Sequence, residues 1–262
     1  MHPPDPSSHL SVGDPWSHLR RFTAARIAIG RSGGSQTTST ILDFRLAHAR
    51  ARDAVHASFD PEALAATLHQ VGVATEILST NVRDRREYLL RPDLGRSLDE
   101  ASKALLTDRA TTDLVIVISD GLAAAAAERH AAATVIPLIL ELQDAGWQIA
   151  PVFIIPLGRV KVQDEIGAAL KAKFSLMLLG ERPGLGTPDS LGAYFTANPS
   201  LACTDADRNC VSNIRPEGLP PAEAAAKLAW LLKASRRLGL SGVHLKDNQS
   251  AATDFIPPPP SI

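Results

Sequence analysis

The sequence is short of the features that mark most specialised classes. Only two of its 262 residues are cysteine, Cys203 and Cys210, too few for the disulfide framework of a secreted protein and suited to a reducing compartment. They stand seven apart, with Asp205, Asp207 and Arg208 between them. Zinc sites want paired Cys or His at short spacings, so no metal site is expected. Basic charge is not in surplus either: 27 Lys and Arg face 28 Asp and Glu, a formal net charge of −1. Nucleic-acid binders ordinarily carry a basic excess, so no such partner is expected. No apolar run approaches the roughly 20 residues that span a membrane. Residues 1–15, with three prolines before residue 7, hold no run of signal-peptide length. Gly-x-Ser-x-Gly, His-Glu-x-x-His and Cys-x-x-Cys are all missing, and no acid/base pair stands out. The expectation is a soluble intracellular protein without an evident catalytic set of its own.

What is present is an α/β pattern. A chain of this length buries about 70–75% of its unfolded surface and needs no disulfide or metal to fold. Residues 1–15 and 257–262, the latter with four consecutive prolines, are expected to be disordered; a proline run favours the extended polyproline conformation. Residues 16–110 read as a helical N-terminal subdomain. It has helices over 38–58 (capped by Ser39 or Thr40), after Asp60-Pro61, and from Ser97, and a short strand over 74–78. Residues 111–256 alternate strand and helix: strands 113–119, 148–155 and 174–179, and helices 123–130, 134–145, 160–171 and 222–238. The last has Pro220-Pro221 before it and Gly239 after it. Residues 193–215 are less regular and read as a hairpin. Such alternation argues for a Rossmann-like, mostly parallel sheet with flanking helices.

Three local features admit both a structural and a functional reading. Ser119-Asp120-Gly121 follows a strand. Asp120 reads as a helix cap and Gly121 as a tight turn, yet the carboxyl ends of parallel strands are also where α/β ligands bind. Gly30–Ser35 (Gly-Arg-Ser-Gly-Gly-Ser) is either a flexible turn or a phosphate or partner contact; it lacks the Lys-Ser/Thr ending of a P-loop and the spacing of a dinucleotide fingerprint. On the helix 38–58, Arg45, His48, Arg52 and His56 recur at steps of three, four and four and make one basic stripe. The stripe is a solvated face or a docking surface for an acidic partner.

Four segments carry a family resemblance: Ala25–Ser35 (Ala-Arg-Ile-Ala-Ile-Gly-Arg-Ser-Gly-Gly-Ser), Leu42–His56 with His-Ala-Arg-Ala-Arg-Asp-Ala-Val-His, Gly158–Tyr194 with Gly-Glu-Arg-Pro-Gly-Leu, and Asp205–Gly218 with Arg-Asn-Cys-Val-Ser-Asn-Ile. Together they resemble the small (light) subunit of ethanolamine ammonia-lyase over about residues 17–239. The resemblance implies a lyase converting ethanolamine to acetaldehyde and ammonia by a radical mechanism. It also implies adenosylcobalamin as cofactor, shared with a large catalytic subunit in a hetero-oligomer of large–small pairs, often within a bacterial microcompartment and otherwise cytoplasmic. It places cobalamin contacts on Val160, Glu181 and Cys210, and raises Arg45, His48, Arg52 and His56 as a candidate subunit interface. The chain has no Asp-x-His-x-x-Gly, consistent with a cofactor that keeps its own benzimidazole ligand, as in this family. Apart from the resemblance, the residues also admit a stand-alone α/β enzyme or module binding a nucleotide or phosphate ligand in the same crevice.

Overall fold

The computed structural model describes residues 14–23 and 25–247. The expectations for 1–15 and 257–262 therefore lie outside the described residues, save residues 14 and 15. The architecture is mixed α/β, with eight α-helices and six strands among the described residues. The strands are β1 (Thr75–Ile77), β2 (Leu114–Ser119), β3 (Val152–Ile154), β4 (Phe174–Gly180), β5 (Leu191–Ala197) and β6 (Arg208–Ile214). They form one sheet in the order β1-β3-β2-β4-β5-β6. The first four are parallel, β5 runs antiparallel to β4, and β6 runs antiparallel to β5. Strand β1, from the first sequence region, pairs with β3 from the second, so the sheet draws on both.

The helices are α1 (Thr38–His56), α2 (Pro61–His69), α3 (Arg85–Leu90), α4 (Glu100–Leu105), α5 (Ala124–Ala126), α6 (Ala132–Asp144), α7 (Val162–Ala169) and α8 (Pro221–Leu238). Side chains alternate across a strand, and β2 shows the consequence. Leu114, Ile116 and Ile118 pack into a core with α2, α6 and α8 on one face. Val115 and Val117 join Phe153, Met177, the α7 residues Val162 and Ile166, and Leu170 just past that helix on the other. All six β2 residues are buried, which explains its unbroken apolar run.

Several local expectations are corrected. The cap of α1 is Thr37, whose hydroxyl accepts from the Thr40 amide, not Ser39 or Thr40. Helix α4 starts at Glu100 with Asp99 as cap, not at Ser97, because Asp99 supplies the oxygen that receives the free Ser102 amide. By contrast, Asp60 caps α2 ahead of Pro61 as expected. The break expected between residues 130 and 134 is absent. Helices α5 and α6 are joined by a π turn over Ala127–Ala131. Strand β3 is shorter than 148–155, and α7 shorter than 160–171. The hairpin expected over 193–215 is β5 and β6 joined by a connection that includes a short 3-10 turn. In the sheet, β2 lies between β3 and β4. Non-local strand order of this kind leaves no periodic trace in the chain.

Candidate functional site

The carboxyl ends of the parallel strands form one lip of the sheet, and the loops there are tightly interlocked. Gly121, at φ +54°, lies so close to Gly180 that a Cβ on it would come within 2.2 Å of the Gly180 carbonyl oxygen. Here only glycine permits both the turn and the approach. The expected capping role of Asp120 is not observed. The α5 N-cap is Ala123, without a side-chain cap, and the Asp120 carboxylate turns inward. Its Oδ1 accepts from the Leu157 amide at 2.7 Å and from the Ser119 hydroxyl at 3.2 Å, while Oδ2 accepts from Arg85 Nη1 at 3.0 Å. At 2% exposure, burial pushes the Asp120 carboxyl pKa up, and the Arg85 charge opposes it.

Val160 follows the β3 loop at the amino end of α7, half-buried. Its loop is fixed by the Gly158 amide donating to Ser119 Oγ at 3.0 Å, and by the Arg159 guanidinium stacked over the Tyr88 ring at 3.8 Å. Glu181 lies one residue past β4 on the same lip. Val160 and Glu181 share the lip although β2 separates β3 from β4.

Cys210 is exposed on β6, directly opposite Tyr194 on β5. On β5, Leu191, Ala193 and Phe195 enter the core of the first face, so Gly192, Tyr194 and Thr196 point to the second. There α7 covers only part of the surface. Asp164 of α7, fully buried, takes a bidentate pair from Arg208 at 2.7 Å per contact, and Arg208 also donates to Thr196 Oγ1 at 3.1 Å. Beyond that clamp, buried Gly192, half-buried Tyr194 and exposed Cys210 form a shelf on the second face, beside half-buried Glu181.

The shelf is electrostatically coherent. Glu181 Oε2 accepts from the Ser190 hydroxyl at 2.5 Å and from the Asn213 amide at 3.3 Å. Among the described residues, Oε1 accepts no hydrogen bond. A Cβ at Gly192 would come within 2.8 Å of that Oε1 and 3.1 Å of the Tyr194 ring, so glycine leaves the carboxylate its space above the strand. Although the residue as a whole is exposed, desolvation of its sulfur among the neighbouring side chains, and then the Glu181 charge, push the Cys210 thiol pKa up, with Tyr194 opposing through its hydrogen bond. The thiol therefore stays protonated at neutral pH, a packing and weak hydrogen-bonding group and not a nucleophile. Burial is also the main cause that pushes the Tyr194 phenol up.

The structure thus brings Glu181 and Cys210 together. Val160 stands on the same lip, and no hydrogen bond among the described residues joins it to the other two. Tyr194, Gly192, Ser190 and Asn213 belong to the shelf and were missed in the sequence. The alternation over residues 191–196 holds the signal for Gly192 and Tyr194, but only the register with β6 gives it meaning.

Arg45, His48, Arg52 and His56 all lie exposed on α1. Ile41, Leu42, Phe44 and Leu46 are exposed on the same helix, at 37%, 58%, 45% and 51%. Residues 30–35 form a small turn closed on itself, with Ser32 and Ser35 exchanging both backbone bonds. No group of three or more His, Cys, Asp or Glu among the described residues could hold a metal ion, and no described helix is long and apolar enough to cross a membrane.

Comparison with known proteins supplies a context for this geometry. The family described as Ethanolamine ammonia-lyase light chain (EutC) matches residues 13–246. An ethanolamine ammonia-lyase small subunit of Ralstonia nicotianae is 51% identical over 239 residues, covering 89% of this chain and 88% of that protein. Small subunits of Azotobacter vinelandii and Pseudomonas fluorescens are 49% and 46% identical, covering 91% and 95% of this chain and 90% and 92% of their own lengths.

Proposed function

The chain belongs to the ethanolamine ammonia-lyase light-chain family, the small subunit of a heteromeric lyase, and from that premise we propose that it holds adenosylcobalamin against a large catalytic subunit. The observation that carries the proposal is the shelf beside Glu181, whose Oε1 accepts no hydrogen bond among the described residues. The residues present fit such a group. Cobalamin's rim carries neutral amides and its nucleotide loop a ribose, all donors for a carboxylate oxygen. Glu181 offers that oxygen in Oε1, held in place through Oε2 by Ser190 and Asn213. The protonated Cys210 gives a small, soft packing surface, and Val160 an apolar or backbone contact from the α7 side of the lip. Bound there, the cofactor supplies the radical chemistry that converts ethanolamine to acetaldehyde and ammonia. This chain's own residues bind and orient, and the catalytic groups belong to the large subunit.

The large subunit docks, in this reading, on α1, where Arg45, His48, Arg52 and His56 meet acidic groups and Ile41 and Phe44 meet apolar ones. The complex is a hetero-oligomer of large–small pairs, housed in a bacterial microcompartment on the family resemblance. The parallel strands β1–β4 are its Rossmann-like core, and residues 16–110 its helical N-terminal region.

The test is an adenosylcobalamin titration of reconstituted large–small complex. A hydrogen bond to a charged group is worth roughly 1.5–3 kcal/mol, and 1.4 kcal/mol is tenfold. Glu181→Ala is therefore expected to raise the half-saturating cofactor concentration about 10- to 100-fold, with a much smaller fall in turnover at saturation. Cys210→Ala, which removes one soft atom and no charge, is expected to do less. A Glu181→Ala complex that saturates at the parent concentration would make Glu181 an ordinary loop acid and end the proposal.

A further inference from the structure

Helix α1 has no buried residue, yet its carboxyl end is tied to the loops of the cofactor lip by one side chain. Arg85, at the start of α3, donates from Nε to the carbonyl of Val55 in the last turn of α1 at 2.6 Å. From Nη1 it donates to Asp120 Oδ2 at 3.0 Å and to the Gly121 carbonyl at 2.6 Å. The other oxygen of Asp120 holds the Leu157 amide, three residues before Val160. Gly121 rests against Gly180, next to Glu181. Arg85 also stacks 4.9 Å from the centre of the Tyr88 ring. The same ring takes Arg159, the neighbour of Val160, at 3.8 Å, and the Tyr88 hydroxyl donates to the Gly158 carbonyl.

We propose that Arg85 is a positioning residue that links large-subunit docking on α1 to the shape of the cofactor lip. The inference rests on the functional reading above and extends it: partner and cofactor favour the same arrangement because one guanidinium fork joins the helix to both loops. Nη2 of Arg85 is buried, and no hydrogen-bond partner for it stands among the described residues. The fork is what matters, since a lysine in its place keeps the charge near Asp120 but cannot reach Val55, Asp120 and Gly121 together.

Linkage supplies a readout that a merely structural role would not move. The affinity of the full chain for the large subunit is measured by titration with and without saturating adenosylcobalamin, and the ratio of the two is the coupling. Coupling between linked sites is typically about 5- to 150-fold. The parent ratio is expected in that range, and Arg85→Lys is expected to lower it at least about fivefold, whatever it does to the affinities themselves. Asp120→Asn, which keeps an acceptor for Leu157 but removes the charge facing Arg85, is expected to lower it less. Parallel losses in both affinities with an unchanged ratio would make Arg85 a structural anchor and overturn the linkage alone. A parent ratio of one overturns it before any variant is made, and a parent complex that takes up no cobalamin overturns the functional reading with it.

Discussion

Helices α1 and α8 are nearly equal in length, 19 and 18 residues, and the molecule uses them in opposite ways. Eight residues of α8 are buried, among them Leu228, Leu231 and Leu232, in the core shared with α6 and the first face of the sheet. No residue of α1 is buried, and Ile41, Leu42, Phe44 and Leu46 stand exposed beside its charges. Most helical stability in proteins comes from packing an apolar face and not from propensity. Helix α8 therefore belongs to the fold. Helix α1 carries apolar surface that the fold does not cover, as expected of a partner-facing element.

The comparison is sharpest where it is expected to give the largest effect. Leu228 is fully buried, and Leu228→Ala is expected to destabilise the isolated chain by about 2–5 kcal/mol, the usual span for a core leucine. Leu42→Ala, the same change on α1, is expected within about 0.5 kcal/mol of the parent, as for an exposed position without special contacts. Denaturant unfolding of both variants decides it. Equal losses would mean that α1 is part of the cooperative core, and its reading as a docking element would fall.

A smaller effect on the fold, but a clear one on assembly, is expected from Arg45→Glu combined with Arg52→Glu. Arg52 makes only a 3.6 Å contact with Asp53, both groups being more than two-thirds exposed. Exposed ion pairs are worth about 0–1 kcal/mol, so the unfolding midpoint should barely move. Like charges brought together at an interface cost on the order of several kcal/mol, so co-elution with the large subunit should weaken. Unchanged co-elution would assign the basic stripe to solvent.

The contrast between the helices also marks what a sequence can disclose. Strand β2 was legible because a strand buried on both faces must be apolar throughout, and α8 because Pro220-Pro221 and the left-handed Gly239 bracket it. Glu181 and Cys210 were reached through their motifs. The shelf around them was not, because Tyr194 faces Cys210 only through the β5–β6 register, and register is a long-range choice that neither strand encodes alone. Asp120 read as a cap for a similar reason: its true partners, Arg85 and Leu157, lie 35 and 37 residues away. The exposure of α1 was equally hidden. The sequence shows the basic stripe, and only the fold shows that no residue of α1, its apolar ones included, is buried by the described residues.

The smallest expected effect tests whether α1 stands energetically apart from the body. Thr37 Oγ1 accepts from the Thr40 amide at 3.3 Å and so satisfies one of the amides that a helix start leaves free. Replacing such a cap with alanine costs a helix about 0.5–2 kcal/mol. In a helix packed into the core that cost would appear in global unfolding. Helix α1 is held to the body by few bonds, chiefly Arg85 to Val55 at one end and Thr40 Oγ1 to the Ile29 carbonyl at 3.2 Å at the other. The cost of Thr37→Ala is therefore expected to stay local: faster amide hydrogen exchange across α1, a modestly weaker grip on the large subunit, and a global midpoint within error of the parent. Local openings of this kind range from near zero up to the global unfolding free energy, so exchange resolves the two cases. A fall in the global midpoint with no selective change in α1 exchange would mean that the helix unfolds only with the body, and the division between the two helices would be one of exposure and not of stability.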